Sequence, residues 1–563
     1  MEATNSGPAV ALEIYAVFSQ RFSLFLQNSI LEEIIVPECD QLEGKTIEGI
    51  ANTVGSENLL LDAYACSFYA QDVYTKSLSA LAVVRPGNTQ ELCAVVKSLT
   101  EAGHAVIPRG GGMSYTGGYV PVLKGSVIID LGRMNKIITI NKEDMYVTVE
   151  SGCTWKALHE ALENTGLRTP FWGTLSGIKA TVGGGLSQNS VFWGSGQFGS
   201  AVDSVISLDV VLADGSLVKT GSGAQINGSP FFRHFGPDLT GLFTCDTGAL
   251  GFKASVTLKL IPKLPAKQYV AFDFKTAADT ISAMSDIARM GLAMECFGFD
   301  PFLQKQRMKR ESLVKDVKAL AGVMKTSGSV LGALKDVAKV AAAGRGYMEN
   351  VDYSLQVIIE DRNQPAADDR AKDVRSVGKK HNGIEIKNSI PKIARANPFG
   401  PLNSMLGPDG ERWAPVHGLF PHSKIQHAYE AVEALFEKHA QVMDQYKIET
   451  GYLFALVATN CFVLEPVFFW PDEIFEIHKQ TVEPTHLSSL KRFPANPDAR
   501  AAVDLIRDEM VQLFTALGAV HLQIGKAYNY KEGIQSNSLR LVQSIKNAVD
   551  PHGKINPQSL GLD

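Results

Sequence analysis

Three glycine clusters constrain this chain more than any other feature. The first is Arg109-Gly110-Gly111-Gly112-Met113-Ser114-Tyr115-Thr116-Gly117-Gly118. The second, 174–187, holds Ser176-Gly177 and Thr181-Val182-Gly183-Gly184-Gly185. The third is Asp246-Thr247-Gly248-Ala249-Leu250-Gly251. Residues without a Cβ let a backbone turn sharply and approach a neighbour closely. Successive amides turned toward one point form a concavity that holds phosphate oxygens without lysines. Ser114 and Thr116 can add hydroxyl donors. One such run is as readily a tight turn between strands; three in this order point to a binding site. The first loop is neither G-x-G-x-x-G nor G-x-x-x-x-G-K-[ST], so Rossmann and P-loop readings do not fit it.

The elements around the clusters follow from periodicity. Residues 79–84 read as a strand stopped by Arg85-Pro86-Gly87. Leu92, Val95, Val96 and Leu99 fall at i, i+3, i+4 and i+7, which predicts a helix capped by Asn88 or Thr89 and ended at Gly103. A strand at 104–108 then runs into the first glycine loop, so a βαβ unit is expected. A second block has strands at 127–131, 136–140 and 146–150, closed by a helix with Trp155, Leu158 and Leu162 on its apolar face. Asp214-Gly215 between apolar runs predicts a hairpin of 205–213 and 216–220. Residues 253–261 form a last strand, bracketed by Pro262 and Pro265. The second half predicts strands at 269–274, 354–359, 413–416, 453–457 and 462–469, with helices at 277–290, 424–440 and 498–517 and a helical insert at 312–343. The expected division is a lead-in at 1–78, a glycine-loop domain at 79–265, an α+β substrate or cap domain at 266–520, and a C-terminal segment at 521–563.

Bulk properties exclude several classes. With 563 residues the chain exceeds one ordinary core. Its net charge of −5 leaves no electrostatic footprint for nucleic acid. Cys39, Cys66, Cys93, Cys153, Cys245, Cys296 and Cys461 include no C-x-x-C pair and are odd in number, against a disulfide framework or structural zinc. The N-terminus lacks a basic segment followed by a long apolar run, and no stretch reaches a membrane-spanning length without charges. A cytoplasmic protein with no membrane span and no metal is the expectation.

The matching text is A-V-V-R-P at 82–86, R-G-G-G-x-S-Y-T-G-G at 109–118, G-S-V-I-I-D-L-G-R-M-N-K at 125–136, V-E-S-G at 149–152, G-L-F-T-C-D-T-G-A-L-G at 241–251 and I-K-N-A-V-D-P-H-G-K-I-N-P at 545–557. On these segments the chain resembles the vanillyl-alcohol oxidase and p-cresol methylhydroxylase family of FAD-linked oxidases. R-W-A-P-V at 412–416 is a weaker echo in the second half. The resemblance implies an α+β fold: a two-subdomain FAD-binding domain of the vanillyl-alcohol oxidase type and a cap domain with a sheet over the flavin. It implies that Arg109, Gly110, Gly111, Gly112, Met113 and Ser114 wrap the pyrophosphate, that Ser176, Gly177, Thr181 and Gly183 line the cofactor, that Gly248 and Gly251 sit by the adenosine, and that Asn556 contacts it from the C-terminal turn. A homodimer is what the family suggests, and the electron acceptor is oxygen, a cytochrome or a quinone, a choice set by oxygen's access to the cavity.

Departures from the family pattern matter as much. Relatives tether the flavin through His or Tyr; here Pro401-Leu402-Asn403-Ser404-Met405 and Met113 stand at the corresponding places, which favours non-covalent FAD. His417 and His422 remain alternative tethers. The phenol oxidases' Tyr-Arg pair falls by alignment at Val520-His521. His521, Tyr528 and Tyr115 are therefore the candidate catalytic groups, as base or as hydrogen-bond partners of a hydroxyl. Phe454, Phe462, Phe468, Phe469 and Trp470 suggest an aromatic roof, with Phe192, Trp193 and His417 extending it. The leading expectation is an FAD-dependent oxidoreductase that takes hydride from a phenolic or aryl-propanoid alcohol. The alternative is a D-2-hydroxy-acid dehydrogenase of the lactate or glycolate type, and a flavin-free binding protein is a third.

Overall fold

Three sheets, each with a different job, organise the computed structural model, which describes residues 42–310 and 350–562. The expected insert at 312–343 and the lead-in before residue 42 lie outside the described residues. The first sheet runs Leu59–Leu60, Ala82–Val84, Val127–Asp130, Val106–Arg109 in space. Its last three strands are parallel. The two strands of the expected βαβ unit are therefore not neighbours, because Val127–Asp130 inserts between them. That strand was expected in the second block. All four of its residues are buried, as a central parallel strand covered on both faces requires. The helix Thr89–Glu101 is capped by the Asn88 side chain, which accepts from the Glu91 amide. Its Leu92, Val95, Val96 and Leu99 pack on this sheet.

The second sheet is antiparallel, in the order Ile137–Asn141, Tyr146–Glu150, Phe252–Lys259, Val205–Val211, Leu217–Lys219. Its hairpin turns at Gly215, whose φ of +78° fits the Asp-Gly signal. The second glycine cluster ends in a short helix, Val182–Ser187. Thr181 caps it, accepting from the Gly184 amide.

The third sheet has eight strands. Ile384–Glu385, Ala266–Phe274, Tyr353–Asp361, Glu295–Phe299, Glu449–Val457, Cys461–Trp470 and Arg412–Pro415 lie in that order, and Gly418–Phe420 also pairs with Cys461–Trp470. All its pairings are antiparallel. Helices Ala277–Arg289, Gln364–Lys380, Ile425–Lys438 and Pro497–Leu517 cover one face, burying Phe454, Phe462, Phe468 and Trp470. Each such side chain contributes roughly 1.5–3 kcal/mol by leaving water. The other face carries Phe297, Phe299, Leu453, Ala455, Val463, Val467 and Phe469 toward Trp155, Trp172 and Trp193 of the glycine-loop half. Period-two alternation thus splits one aromatic-rich hairpin between two cores.

The C-terminal segment returns to the first sheet. Ile555 bridges Val106 in parallel. Buried Lys546 donates to Asp550 and to the carbonyls of Ala249 and Ile555.

Candidate functional site

A cavity of about 980 Å³ separates the glycine loops from the third sheet. Arg109, Gly110, Gly111, Gly112, Met113, Ser114 and Tyr115 line it, as do Ser176, Thr181, Gly183, Gly248 and Gly251. The first two clusters meet back to back. A Cβ on Gly111 would lie 1.9 Å from the Lys179 carbonyl oxygen, so only glycine lets these backbones touch. Among the described residues, the amides of 111–114 donate to no protein carbonyl or side chain. Ser151 lines the same wall, and its buried hydroxyl likewise has no protein partner. Buried donors without acceptors are costly unless a ligand completes them. The wall's cations are already paired, Arg109 with Asp130 at 3.8 Å and Lys253 with Asp246 at 2.7 Å. A diphosphate would therefore be held mainly by amides and hydroxyls, as in other backbone anion sites. The wall fits FAD.

Two expected cofactor contacts lie elsewhere. Gly177 is off the wall, with the Phe399 ring where its Cβ would go (2.5 Å), so it serves packing. Asn556 is also off the wall. Its amide donates to the carbonyls of Gly118 and Thr247, both at 2.8 Å, and its oxygen accepts from Lys526. It ties the first and third glycine clusters together.

The facing wall comes from the third sheet and its flanks. Phe192 and Trp193 line the cavity, as does His417. Phe454 does not. It points to the helix-covered face, and its strand neighbours Leu453 and Ala455 line the cavity instead. Phe469 is on the cavity side of the sheet yet off its lining, packed against Phe302 at 5.8 Å between centroids. Phe462, Phe468 and Trp470 also belong to the helix-side core. The roof is therefore Phe297, Phe299, Leu303, Val463 and Val467 rather than the expected phenylalanines.

The candidate catalytic groups separate similarly. Tyr115 lines the cavity; His521 and Tyr528 do not. The His521 ring stacks on Tyr528 at 4.1 Å, and its Nδ1–H donates to the His417 carbonyl. Both back up His417. Tyr528 donates to His417 Nδ1 at 2.9 Å and accepts from the His417 amide at 3.0 Å. His417 Nε2–H donates to the Leu522 carbonyl at 2.7 Å. Both imidazole nitrogens are thus engaged. Burial, with His521 adding to it, pushes His417 down to about 3, so it stays neutral. His422 is off the cavity, bonded to Ser285 and the Thr459 carbonyl.

Sequence reasoning missed Glu465, which lines the cavity from Cys461–Trp470. Burial pushes its carboxyl up to about 7, with the Arg307 guanidinium pulling the other way. Glu465 faces Leu453 across the hairpin, and Leu453 faces Phe299 across the next pair. Arg307, on the helix Pro301–Arg310, lies over the Phe299 ring at 4.4 Å and also lines the cavity. A carboxyl poised near neutrality in an apolar cavity is what a general base needs. A signal was present: Glu465 is the one charge in Cys-Phe-Val-Leu-Glu-Pro-Val-Phe-Phe-Trp. Among the described residues no group of three or more His, Cys, Asp or Glu is placed to hold a metal. No helix among them is long and apolar enough to cross a membrane.

Comparison with known proteins fits this geometry. Residues 80–221 match the family described as FAD binding domain. The chain is 31% identical over 278 residues to the mitochondrial D-lactate dehydrogenase [cytochrome] of Arabidopsis thaliana, covering 49% of this chain and 47% of that one. It is 31% identical over 206 residues to a glycolate oxidase subunit of Bacillus subtilis (strain 168), covering 37% and 42%. The match thus spans less than half the length of these relatives. Among solved structures, p-cresol methylhydroxylase with substrate bound superposes with a TM-score of 0.70 at 19% identity, covering 92% of this chain and 96% of that one. The 4-ethylphenol oxidase from Gulosibacter chungangensis gives 0.67 at 18%, covering 92% and 97%. The expected fold stands, while the sequence relatives include hydroxy-acid enzymes that the motifs had ranked second. The chain carries an FAD-binding domain at residues 80–221, within the fold of the p-cresol methylhydroxylase type of FAD-linked oxidases.

Proposed function

We propose that this protein is an FAD-dependent oxidoreductase acting on the CH–OH group of an aromatic alcohol, with Glu465 as the proton acceptor. The observation that carries the reading is the Glu465 carboxyl, raised to about 7, among Leu453, Val463 and Val467 of the sheet that faces the glycine loops. FAD, when bound, supplies a two-electron acceptor for the hydride of the substrate carbon. Glu465 takes the hydroxyl proton, and the product is the carbonyl compound. Phe192, Phe297, Phe299 and Leu303 favour a flat apolar substrate and keep water from the reacting carbon. FAD is held without a covalent bond: His417 has both nitrogens engaged, His422 is off the cavity, and Met113 and residues 401–405 offer neither His nor Tyr.

A second reading, a D-2-hydroxy acid as substrate, draws on Arg307, a cation in the same wall. It agrees with what the sequence relatives are named for. Anaerobic flavin bleaching separates the two. Cinnamyl- or benzyl-type alcohols are expected to bleach the 450 nm band, and D-lactate to leave it intact. Bleaching by D-lactate alone overturns the aromatic assignment. Yellow colour retained in an acid-precipitated pellet overturns non-covalent binding.

A further inference from the structure

We propose that Gln523 is a positioning residue that fixes the Tyr115 hydroxyl as a hydrogen-bond donor into the cavity, toward the substrate oxygen as it loses its proton. The proposal rests on the function proposed above and adds a residue that the motifs did not single out.

The Gln523 side-chain amide donates to the Tyr115 oxygen at 2.8 Å. A phenol has one proton and two lone pairs, so once the oxygen accepts, the proton must be donated elsewhere. The neighbours on either side offer no acceptor. The Trp413 ring meets Tyr115 edge-on at 5.5 Å. His417 does so at 6.1 Å, and its two nitrogens are engaged with Leu522 and Tyr528. Tyr115, Gln523 and His417 all line the cavity, and the cavity is the direction left for the proton.

Gln523 is held where it can do this. Its φ of +46° is left-handed, a conformation that a non-glycine residue holds only where its surroundings enforce it. The enforcement is visible on both sides. The Gln523 amide donates to the Gln188 carbonyl at 2.8 Å, and the preceding carbonyl, Leu522, accepts from His417 at 2.7 Å. Further on, Lys526 donates from its backbone to the Thr116 carbonyl at 2.9 Å, beside Tyr115 itself. Tyr528, His417 and the 522–526 turn thus form one brace whose output is the orientation of a single phenol.

The chemistry divides between two groups. Glu465 takes the proton from the substrate hydroxyl, and Tyr115 donates to the oxygen on which negative charge grows. Burial first, and then the charge of Glu465, hold Tyr115 well above its ordinary range, so it remains a neutral donor. A glutamine serves here where a glutamate would not, because a carboxylate accepts and would turn the Tyr115 proton away from the substrate.

The test uses the FAD-loaded full chain with Gln523→Glu, Gln523→Leu, Tyr115→Phe and the double variant Tyr115→Phe/Gln523→Glu. Gln523→Glu is expected to lower kcat for the aromatic alcohol roughly 100-fold, as loss of one oxyanion donor does, and to match Tyr115→Phe. The double variant is expected to be no worse than Tyr115→Phe alone. Gln523→Leu frees the hydroxyl to rotate and is expected to cost less than Gln523→Glu. FAD content and dithionite reduction are expected to stay unchanged in all four. A second readout is independent of turnover: the pKa of 4-nitrophenol in the presence of excess protein, followed by its phenolate band. The wild type is expected to lower it, and Gln523→Glu to abolish the shift. Additive effects in the double variant, or a wild type that leaves the probe's pKa at its solution value, overturn the proposal. Failure of the alcohol assignment reads out separately, as absence of flavin bleaching with the probe shift intact.

Discussion

The two walls of the cavity are built from different material. The glycine wall acts mainly through its backbone, because the run 110–112 carries no side chains and amides there, with a few hydroxyls, would touch a diphosphate. The sheet wall acts through single side chains, and which ones it presents depends on strand parity. A reading displaced by one residue still finds a glycine in the run 110–112. The same displacement in Glu449–Val457 exchanges Ala455 for Phe454 and moves from one core to the other. Backbone sites are robust to a reading displaced by one residue; side-chain sites on a sheet are not.

The largest expected effect lies on the glycine wall. Gly111→Ala places a methyl 1.9 Å from the Lys179 carbonyl and must force the first two clusters apart. Such overpacking costs about 1–3 kcal/mol and opens the amide cradle. Expected is protein that gel-filters free of the 450 nm band. An alanine variant with full FAD content would break the contrast between the walls.

Next comes the carboxyl that Cys461–Trp470 presents to the cavity, Glu465. Glu465→Gln is expected to lower kcat/KM by about 100- to 10,000-fold, with FAD content unchanged. In the wild type, kcat/KM should rise with pH along a limb centred near 7, as Glu465 becomes the base, and the variant should lack that limb. A limb that persists in Glu465→Gln assigns the titration to another group.

Parity itself can be tested by a pair of substitutions one residue apart. Ala455→Phe intrudes on the cavity and is expected to raise KM about tenfold or more with little change in Tm, since a misfitting group costs roughly 1.4 kcal/mol per tenfold. Phe454→Leu is expected to leave KM alone and to lower stability by about 1 kcal/mol. The opposite pattern would mean that the hairpin presents its other face.

The smallest effect is on stability. The folded-state carboxyl of Glu465 lies above its ordinary value of 4.5, so the native chain binds more protons than the unfolded one between 4.5 and about 7. Stability contributed by this group therefore falls as pH rises through that window. Glu465→Gln is expected to raise Tm relative to wild type at pH 8 and to lose that advantage by pH 4.5, read by thermal melts at both pH values.

What the sequence made legible follows the same division. The order of the glycine clusters, the Asn88 cap, the Asp214-Gly215 turn and the returning 545–557 segment are local signals, and local signals survive in a single sequence. The place of Val127–Asp130 between Ala82–Val84 and Val106–Arg109 is non-local, since nothing in those residues names their neighbours. Sequence reading drew His521 and Tyr528 toward the cavity by alignment distance, yet they stand one layer behind it, holding His417. Glu465 is visible as the one charge in an apolar strand, but the sequence does not show which face of that strand meets the cavity.

The anchoring of Asn556 on the Gly118 carbonyl joins residues 438 apart. On a ribosome the first glycine loop emerges long before its C-terminal fastening exists, and synthesis runs at about 5–20 residues per second. For tens of seconds the nascent loops lack the strap that holds the first and third clusters together. Cofactor capture is thus expected to be a late event. Emergence of the 545–557 segment would act as the gate, and stalled chains ending before residue 545 are expected to stay colourless.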